Sequence, residues 1–364
     1  MANSIQDQLT VLLCGMEAAE ASDLHLVPDH PPMFRIHGDL SPAAEPALTA
    51  EQIHDMIVGI APDGVRAALG KQTDFDFAIQ IADGAATRRF RVNLFACRGE
   101  WGACFRAIPD KIPTLPELGF PADLGVRIIS RNNGLILLTG ITGSGKTTSL
   151  AALIQMLNTA GGQRIITIEE PIEYLYPPIG TSIVTQREVG VDVPSFYEGL
   201  RSGLRQDPDV ILVGEVRDRQ TAQLAISAAE TGHLIFATLH TTDAKGAVTR
   251  LVDLFPTERH EDVRTQLSMS LRFVVAQHLL PSTTGGRRVL AMEVMSDNYA
   301  VRNAIRQGKI ESLDTAIQSG RADGMFSLDA DLRRLVVEGR ITLDTARNFA
   351  SDPEEFGGGV RGKS

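Results

Sequence analysis

The sequence has few cysteines, and they are far from the spacing of a metal-binding or redox motif. Its 364 residues include only Cys14, Cys97 and Cys104, and no two of these form a Cys-x-x-Cys motif. A disulfide framework and a zinc site of the usual spacing are therefore not indicated. Free thiols are typical of proteins in a reducing cytoplasm.

Long apolar runs, a secretory signal and an excess of basic residues are also missing. No apolar run approaches the roughly 18 residues of a membrane-spanning helix, and no basic segment precedes the apolar residues 9–13. These features predict a cytoplasmic chain without a membrane span, so that any membrane role depends on partners. The net charge of −10 disfavours a dedicated nucleic-acid binder, although a local basic channel stays compatible with it.

What is present is a globular composition with room for two domains. Charged residues make up 22% and apolar residues 43% of the chain, near the average for folded proteins. Residues 1–109 predict a small α+β domain with helices at 5–21 and 50–69, the second broken at Pro62. Its strands are predicted at 23–27, 33–37, 74–81, 89–96 and 101–108.

The pattern changes to α/β after a proline-rich segment, residues 110–121, which predicts a linker. Within residues 122–355, strands are predicted at 135–139, 165–168, 210–213, 234–239 and 288–295. A helix is predicted at 217–230 and a helical region at 297–350. Residues 356–364 are rich in glycine and predict a disordered tail.

A glycine-rich loop lies between the strand predicted at 135–139 and a helical pattern of leucines behind it. The loop fits the phosphate-binding pattern Gly-x-x-x-x-Gly-Lys-Thr in the required strand–helix context. Without Cβ atoms, its glycines let backbone N–H groups close around a polyphosphate, and the helix N-terminus adds to the attraction. We expect nucleotide contacts from Gly140, Thr142, Gly143, Ser144, Gly145, Lys146, Thr147 and Thr148.

Two side chains of the loop have distinct predicted roles. Lys146 would reach the β- and γ-phosphates, and the Thr147 hydroxyl would ligate Mg²⁺. The alternative is a glycine-rich connection that binds nothing, but the flanking strand and helix argue against it. The sequence therefore predicts a nucleotide-binding protein.

Acidic residues follow two of the other predicted strands. Glu169 ends the strand at 165–168, and Glu215 follows the strand at 210–213 after one glycine. Because parallel strands deliver their carboxyl ends to one edge of a sheet, both acids should face the loop. Glu215 fits a Mg²⁺-holding Walker B acid, through water, and Glu169 could orient or deprotonate the attacking water. The alternatives are a helix N-terminal charge for Glu215 and an uninvolved strand-end carboxylate for Glu169.

Two histidines flank the strand predicted at 234–239. Seven residues of strand separate His233 from His240 by roughly 20 Å, so they cannot share a metal or a phosphate. His240 follows the strand at the nucleotide edge and could sense the γ-phosphate. His233 precedes it and is more typical of a structural or subunit-contact histidine.

Three arginines lie on the predicted hairpin of the N-terminal domain. Arg91, Arg98 and Arg106 would usually be solvated on such strands, but P-loop enzymes often need an arginine from a neighbouring subunit. Glu173, by contrast, is predicted to be a solvated surface acid.

The motifs together resemble those of the secretion-type hexameric ATPases, and specifically the type IV pilus retraction ATPases. The resemblance covers nearly the whole chain. Its elements are the segments 21–26, 35–40 and 89–95, the phosphate loop 138–148, the acidic box 167–173, the segment 185–190, the Walker B segment 205–218 and the His box 231–240.

This resemblance implies a PAS-like N-terminal domain, a RecA-like ATPase domain and a homo-hexameric ring. ATP would bind at Lys146 and Thr147, with Glu169 as the catalytic acid, Glu215 as the Walker B acid, and His233 and His240 as the His-box pair. Arg91, Arg98 and Arg106 would face the γ-phosphate. The motor would act on a platform protein in the inner membrane to retract the fibre, and a paralogous retraction ATPase is a further candidate partner.

Two departures from the family pattern bear on these expectations. The acidic box has Glu170 where the family usually has Asp, and the C-terminal motif 300–307 ends in Gln307 instead of Glu.

An assembly or secretion ATPase of the same superfamily is the alternative function, but the extra N-terminal domains and the tetracysteine zinc module typical of assembly ATPases are missing. A nucleotide-dependent scaffold without hydrolysis is an alternative of another class. The acidic box, the His box and the net charge disfavour a RecA-like DNA motor.

Overall fold

A computed structural model describes residues 5–36, 39–83, 86–108, 111–285 and 288–357. These residues form two compact units. The first runs to Lys111 and also includes Glu170–Leu175, and the second comprises Ile112–Glu169 and the chain from Tyr176 onward. The predicted domain boundary at 109–110, the predicted strand end at 37 and tail residues 358–364 lie outside the described residues.

The first unit is a mixed α and β structure whose strands are antiparallel. Its elements are α1 (Ile5–Ala18), β1 (Ala21–Leu26), β2 (Met33–Ile36), β3 (Asp39–Pro42), α2 (Ala50–Ile60), α3 (Asp63–Ala68), β4 (Asp74–Asp83), β5 (Ala86–Cys97) and β6 (Glu100–Ile108). In the described part, six strands form one sheet in the order β3-β2-β1-β6-β5-β4.

Alternation along β5 explains how this sheet buries one face. Phe90, Val92 and Leu94 are buried in the core with residues of α1 and α2. Arg89 and Arg91 alternate with them and therefore lie on the opposite face. Arg91 pairs directly with Arg106 of β6, so the two arginines lie side by side on that face.

The second unit is an α/β structure built on a largely parallel sheet, as predicted. Its elements are α4 (Leu115–Leu118), α5 (Leu124–Ile129), β7 (Gly134–Thr139), α6 (Lys146–Ala160), β8 (Arg164–Glu169), β9 (Ile183–Glu188), α7 (Phe196–Gly203), β10 (Val210–Val213), α8 (Arg219–Glu230), β11 (Leu234–Leu239), α9 (Ala244–Asp253), α10 (His260–Ser270), β12 (Leu271–Pro281), β13 (Arg288–Ser296), α11 (Tyr299–Gln307), α12 (Ser312–Ser319), α13 (Leu328–Val337) and α14 (Leu343–Phe349).

Seven described strands of this unit form a sheet in the order β13-β12-β7-β11-β10-β8-β9. Every residue of β7, β10 and β11 is buried. Apolar layers cover both faces of the sheet, which explains why these strands read as unbroken apolar runs. β13 is antiparallel to β12, and the other pairings are parallel.

Three strands were not predicted, and no bounds were predicted for five helices of the second unit: α4, α5, α7, α9 and α10. β3 and β9 carry too many polar residues to stand out as strands, and β12 begins directly after α10, so that no turn marks its start. The segment predicted as a linker contains α4, whose Thr114–Glu117 capping box fixes its start, and it buries Leu115 and Phe120. Within the described ranges, no helix combines the length and apolar character that a membrane crossing needs.

Candidate active site

The phosphate-binding loop connects β7 to α6. Gly140 has a φ of 146°, and a Cβ atom there would lie 2.5 Å from the Gln277 carbonyl oxygen. Gly143 and Gly145 have φ values of 79° and 90°, which L side chains rarely adopt. This path of the loop therefore requires glycine at these positions.

Lys146 is the buried cation of the loop. It is 9% exposed, and its Nζ donates to the carbonyl oxygens of Gly140 at 2.6 Å and Ile141 at 3.0 Å. An ammonium has three N–H donors, so one more is available for a phosphate oxygen. Burial lowers the pKa of Lys146, and the charge of Glu215 partly offsets this effect.

The remaining loop residues differ in their exposure. Thr142, Gly143 and Thr147 are exposed, so the Thr147 hydroxyl at the start of α6 is accessible to a ligand. Ser144 is buried, and among the described residues its Oγ has no hydrogen-bond partner. Thr148 is half-buried in the first turn of α6.

Glu215 lies beyond the end of β10 between two cationic or ionisable neighbours. Its Oε2 is 2.8 Å from Arg217 Nη2, and its Oε1 is 3.2 Å from His240 Nε2. Burial alone would raise the pKa of Glu215, but Arg217 and His240 outweigh burial and lower it below the ordinary value. The carboxylate is therefore held in its ionised form.

Glu169 is the last residue of β8 and is 7% exposed. Its Oε1 accepts hydrogen bonds from Thr167 Oγ at 2.6 Å and from Gln186 Nε2 at 3.1 Å. Thr167 belongs to β8 itself. Gln186 belongs to β9, which is the neighbour of β8 on the side away from the loop strand β7.

The strand register brings the predicted residues to one edge of the sheet. β7, β11, β10 and β8 are parallel neighbours in that order, and Val213 pairs with both Ala237 and Ile168. Neighbouring strands lie about 4.8 Å apart, which puts β8 roughly 14 Å from β7. His240 and Glu215 therefore end the strands nearer the loop, and Glu169 ends a more distant one.

The structure does not bring His233 to this edge. His233 precedes β11 at the opposite end of the strand from His240, and its Nδ1 lies 3.1 Å from the carbonyl oxygen of Ala228 near the end of α8. This contact fits the structural reading of His233. Any role in a His-box pair stays a prediction.

The three predicted arginines lie on the β5–β6 hairpin of the first unit in different surroundings. Arg91 forms a two-pronged ion pair with Asp76, with Nε–Oδ1 at 3.0 Å and Nη2–Oδ2 at 2.7 Å. Arg106 Nε donates to the buried Asp23 at 2.8 Å. Arg98 is exposed in the turn, with a φ of 56°.

Glu173 is not the solvated surface acid that the sequence predicted. It is half-buried, and its Oε1 lies 3.6 Å from Arg91 Nη1. Burial raises the pKa of Glu173, against the opposing effect of Arg91. The prediction was wrong because position 173 looks like a loop in the sequence, whereas the segment packs within the first unit.

Two contacts, one with the loop and one with the following helix α6, were missed because their donors lie far along the chain, on β13 and β12. Gln277 is fully buried, and its Nε2 donates to Ser149 Oγ of α6 at 2.8 Å. Arg288 Nη1 donates to the Gly143 carbonyl oxygen at 3.2 Å. β12 was not recognised, so nothing in the sequence pointed to Gln277. Arg217, in contrast, lies two residues after Glu215 in the Walker B segment.

Comparison with known proteins decides the family. The sequence profile of the type II/IV secretion system protein family matches residues 3–340. The chain belongs to this family.

Individual members of the secretion family match nearly the full chain. The type IV pilus retraction ATPase PilT of Pseudomonas aeruginosa is 44% identical over 348 residues, which span 96% of this chain and 99% of that protein. A twitching motility protein of Neisseria gonorrhoeae is 42% identical over 89% of this chain and 86% of its own length.

A solved structure supports the same fold. The crystal structure of the pilus retraction motor PilT with bound ADP matches with a TM-score of 0.86 at 39% identity, covering 95% of this chain and 98% of that chain. The predicted resemblance to pilus retraction ATPases is thereby confirmed.

Proposed function

We propose that this member of the secretion family hydrolyses ATP to drive type IV pilus retraction. The observation that carries the proposal is the meeting of Lys146, Glu215 and His240 at one edge of a parallel sheet. The similarity to proteins named as a retraction ATPase and a twitching motility protein supports retraction as the process that hydrolysis drives.

The proposed chemistry is attack of water on the γ-phosphate. Loop amides and the remaining N–H of Lys146 would hold the β- and γ-phosphates. Glu169 would orient the water and take its proton as the water oxygen bonds to phosphorus. The bond from the γ-phosphorus to the β-phosphate oxygen breaks, and ADP and phosphate leave.

The donor set fits a magnesium ion bound with the nucleotide. Thr147 offers an accessible hydroxyl and Glu215 an ionised carboxylate, and hard oxygen ligands are what Mg²⁺ prefers. Among the described residues, no three or more His, Cys, Asp or Glu side chains are grouped so that they could hold a metal ion. When bound, Mg²⁺ would neutralise charge developing on the phosphate oxygens.

Arginines of the first unit would complete the site. Arg91, Arg98 and Arg106 would neutralise the γ-phosphate charge, supplied by the same or an adjacent subunit. The shared face of Arg91 and Arg106 and the exposure of Arg98 support this role.

The proposed assembly is a homo-hexamer with a PAS-like and a RecA-like domain in each chain. The strand order β12-β7-β11-β10-β8 around the phosphate loop supports the RecA-like assignment. The ring would work in the cytoplasm at the inner membrane, against a platform protein and with a paralogous retraction ATPase as a further partner.

Phosphate release by the purified chain tests the enzymatic part of the proposal. We expect ATP-dependent release that Lys146→Ala lowers by about a hundredfold or more, since a preorganised donor to the transferring phosphoryl group is lost. A wild-type rate equal to that of buffer would favour a nucleotide-dependent scaffold instead. Undiminished turnover in Lys146→Ala would refute the loop assignment.

A further inference from the structure

The segment Glu170–Leu175 begins at the proposed catalytic residue. Glu169 closes β8 in the second unit, whereas the next six residues belong to the first unit. The chain therefore passes from one unit to the other at the peptide bond after Glu169. Whatever holds this segment also constrains the backbone of Glu169 from its C-terminal side.

Arg89 holds the segment by its main chain. Its Nη1 donates to the Glu173 carbonyl oxygen at 2.9 Å, and its Nη2 donates to the Ile172 carbonyl oxygen at 2.8 Å. One planar guanidinium thus bridges two successive carbonyls, which suits its rigid fork of donors. Because the acceptors are backbone atoms, the contact fixes the path of the chain whatever side chains stand at 172 and 173.

Arg91 adds a second attachment from the same strand. It lies two residues after Arg89 on β5 and therefore on the same face. Its Nη1 is 3.6 Å from Glu173 Oε1, and Asp76 holds the guanidinium in place. The neighbouring Arg88 pairs with Glu17 of α1, and alternation along β5 puts it on the opposite face from Arg89.

We propose that Arg89 is a positioning residue for Glu169. The inference rests on the proposed hydrolysis and names a residue that acts on it without touching nucleotide. Thr167 and Gln186 hold the Glu169 carboxylate from the sheet side, and the Arg89 clamp holds the following backbone. Because a misplacement of about 1 Å can cost a hundredfold in rate, loosening the clamp should slow hydrolysis without weakening nucleotide binding at the loop.

Steady-state hydrolysis by the full-length chain tests this role with two variants. Arg89→Gln should lower kcat by roughly 10- to 100-fold while KM for ATP stays within about twofold. Arg89→Lys keeps the charge and can reach one carbonyl, so its kcat should fall between those of Arg89→Gln and the wild type. Arg88→Gln is the matched control and should keep wild-type kcat, because the Arg88 side chain pairs with Glu17 of α1.

Amide hydrogen exchange gives a readout that does not depend on activity. Exchange within residues 170–175 should be faster in Arg89→Gln and Arg89→Lys than in wild type and unchanged in Arg88→Gln. If Arg89→Gln fails to fold, Arg89→Lys carries both measurements.

Three results would overturn the inference. These are unchanged kcat in both Arg89 variants, unchanged exchange in the segment, or a raised KM with normal kcat, which would make Arg89 a nucleotide contact. A wild-type chain without hydrolysis would instead refute the proposed function, and the exchange measurement would still decide whether the clamp exists.

Discussion

His240 Nε2 lies 3.2 Å from Glu215 Oε1, and the two residues follow neighbouring parallel strands, β11 and β10. Arg217 holds the other oxygen of the same carboxylate at 2.8 Å. A carboxylate kept ionised between two such partners can act on a cation or on water at neutral pH. This arrangement gives the proposed site its first testable property.

Replacing the Glu215 carboxylate should separate binding from hydrolysis. Glu215→Gln keeps the shape of the side chain but removes the charge, so ATP should still bind at the loop while turnover falls by about a hundredfold or more. Nucleotide titration and phosphate release on the same preparation measure the two effects. Loss of binding in a folded variant would show that the assigned role is wrong.

The pH dependence of hydrolysis should reveal what keeps Glu215 ionised. Its lowered pKa means that the active, charged form persists until the pH falls below the ordinary Glu value of about 4.3. Arg217→Gln removes one of the two groups that lower the pKa of Glu215 against the effect of burial. The pKa should therefore rise, and the acid limb of kcat/KM should move to higher pH. The same sign applies to stability: the contribution of this group is present above the unfolded-state pKa and is lost as the pH falls. An acid limb that does not move in Arg217→Gln would contradict this account.

Mixed assemblies should show whether Arg106 acts across subunits. If it does, adding Arg106→Ala chains to wild type should lower hydrolysis by more than the fraction added, because each variant chain disables a neighbour's site. Asp23→Asn is the matched control, since it removes the buried partner of Arg106 but keeps the arginine. A loss proportional to the fraction of variant chains would place the effect of Arg106 within its own subunit.

A buried acid of the second unit should make stability fall as the pH rises. Burial raises the pKa of Glu293, although its Oε1 accepts the Ala244 N–H at 2.9 Å. A raised carboxyl pKa contributes stability that is full below the unfolded-state pKa and is lost as the pH rises through the folded-state pKa. Glu293→Gln can still accept that hydrogen bond, so its melting temperature should change less between acidic and neutral pH. A melting temperature that changes with pH as much in Glu293→Gln as in the wild type would contradict the prediction.

The parts of the fold that the sequence predicted best are those in which a single physical requirement dominates. The strands at 210–213 and 234–239 are fully buried, so they appear in the sequence as uninterrupted apolar runs, and their predicted first and last residues agree with the structure. β9 could not be read in the same way, because all six of its residues stay partly or largely exposed at the edge of the sheet. β12 follows α10 without a break and contains Arg272, Gln277 and His278, which hide a strand pattern.

The candidate site was predictable to a similar degree. Glu169, Glu215 and His240 could be predicted from their positions at strand ends, because residues that end parallel strands lie at one edge of the sheet. Partners from other elements could not be read from spacing, and Gln277 is one example. Arg89 did carry a signal, since its alternation with Phe90 puts it on the face of Arg91, but only the structure gives its carbonyl partners.

Surface pili and twitching motility in a deletion strain test the central claim most directly. If this chain retracts pili by ATP hydrolysis, deletion should leave excess surface pili without twitching. The wild-type gene should restore twitching, and a gene encoding Lys146→Ala or Glu215→Gln should not. A deletion strain without surface pili would indicate an assembly motor, and one with normal pili and twitching would contradict the account altogether.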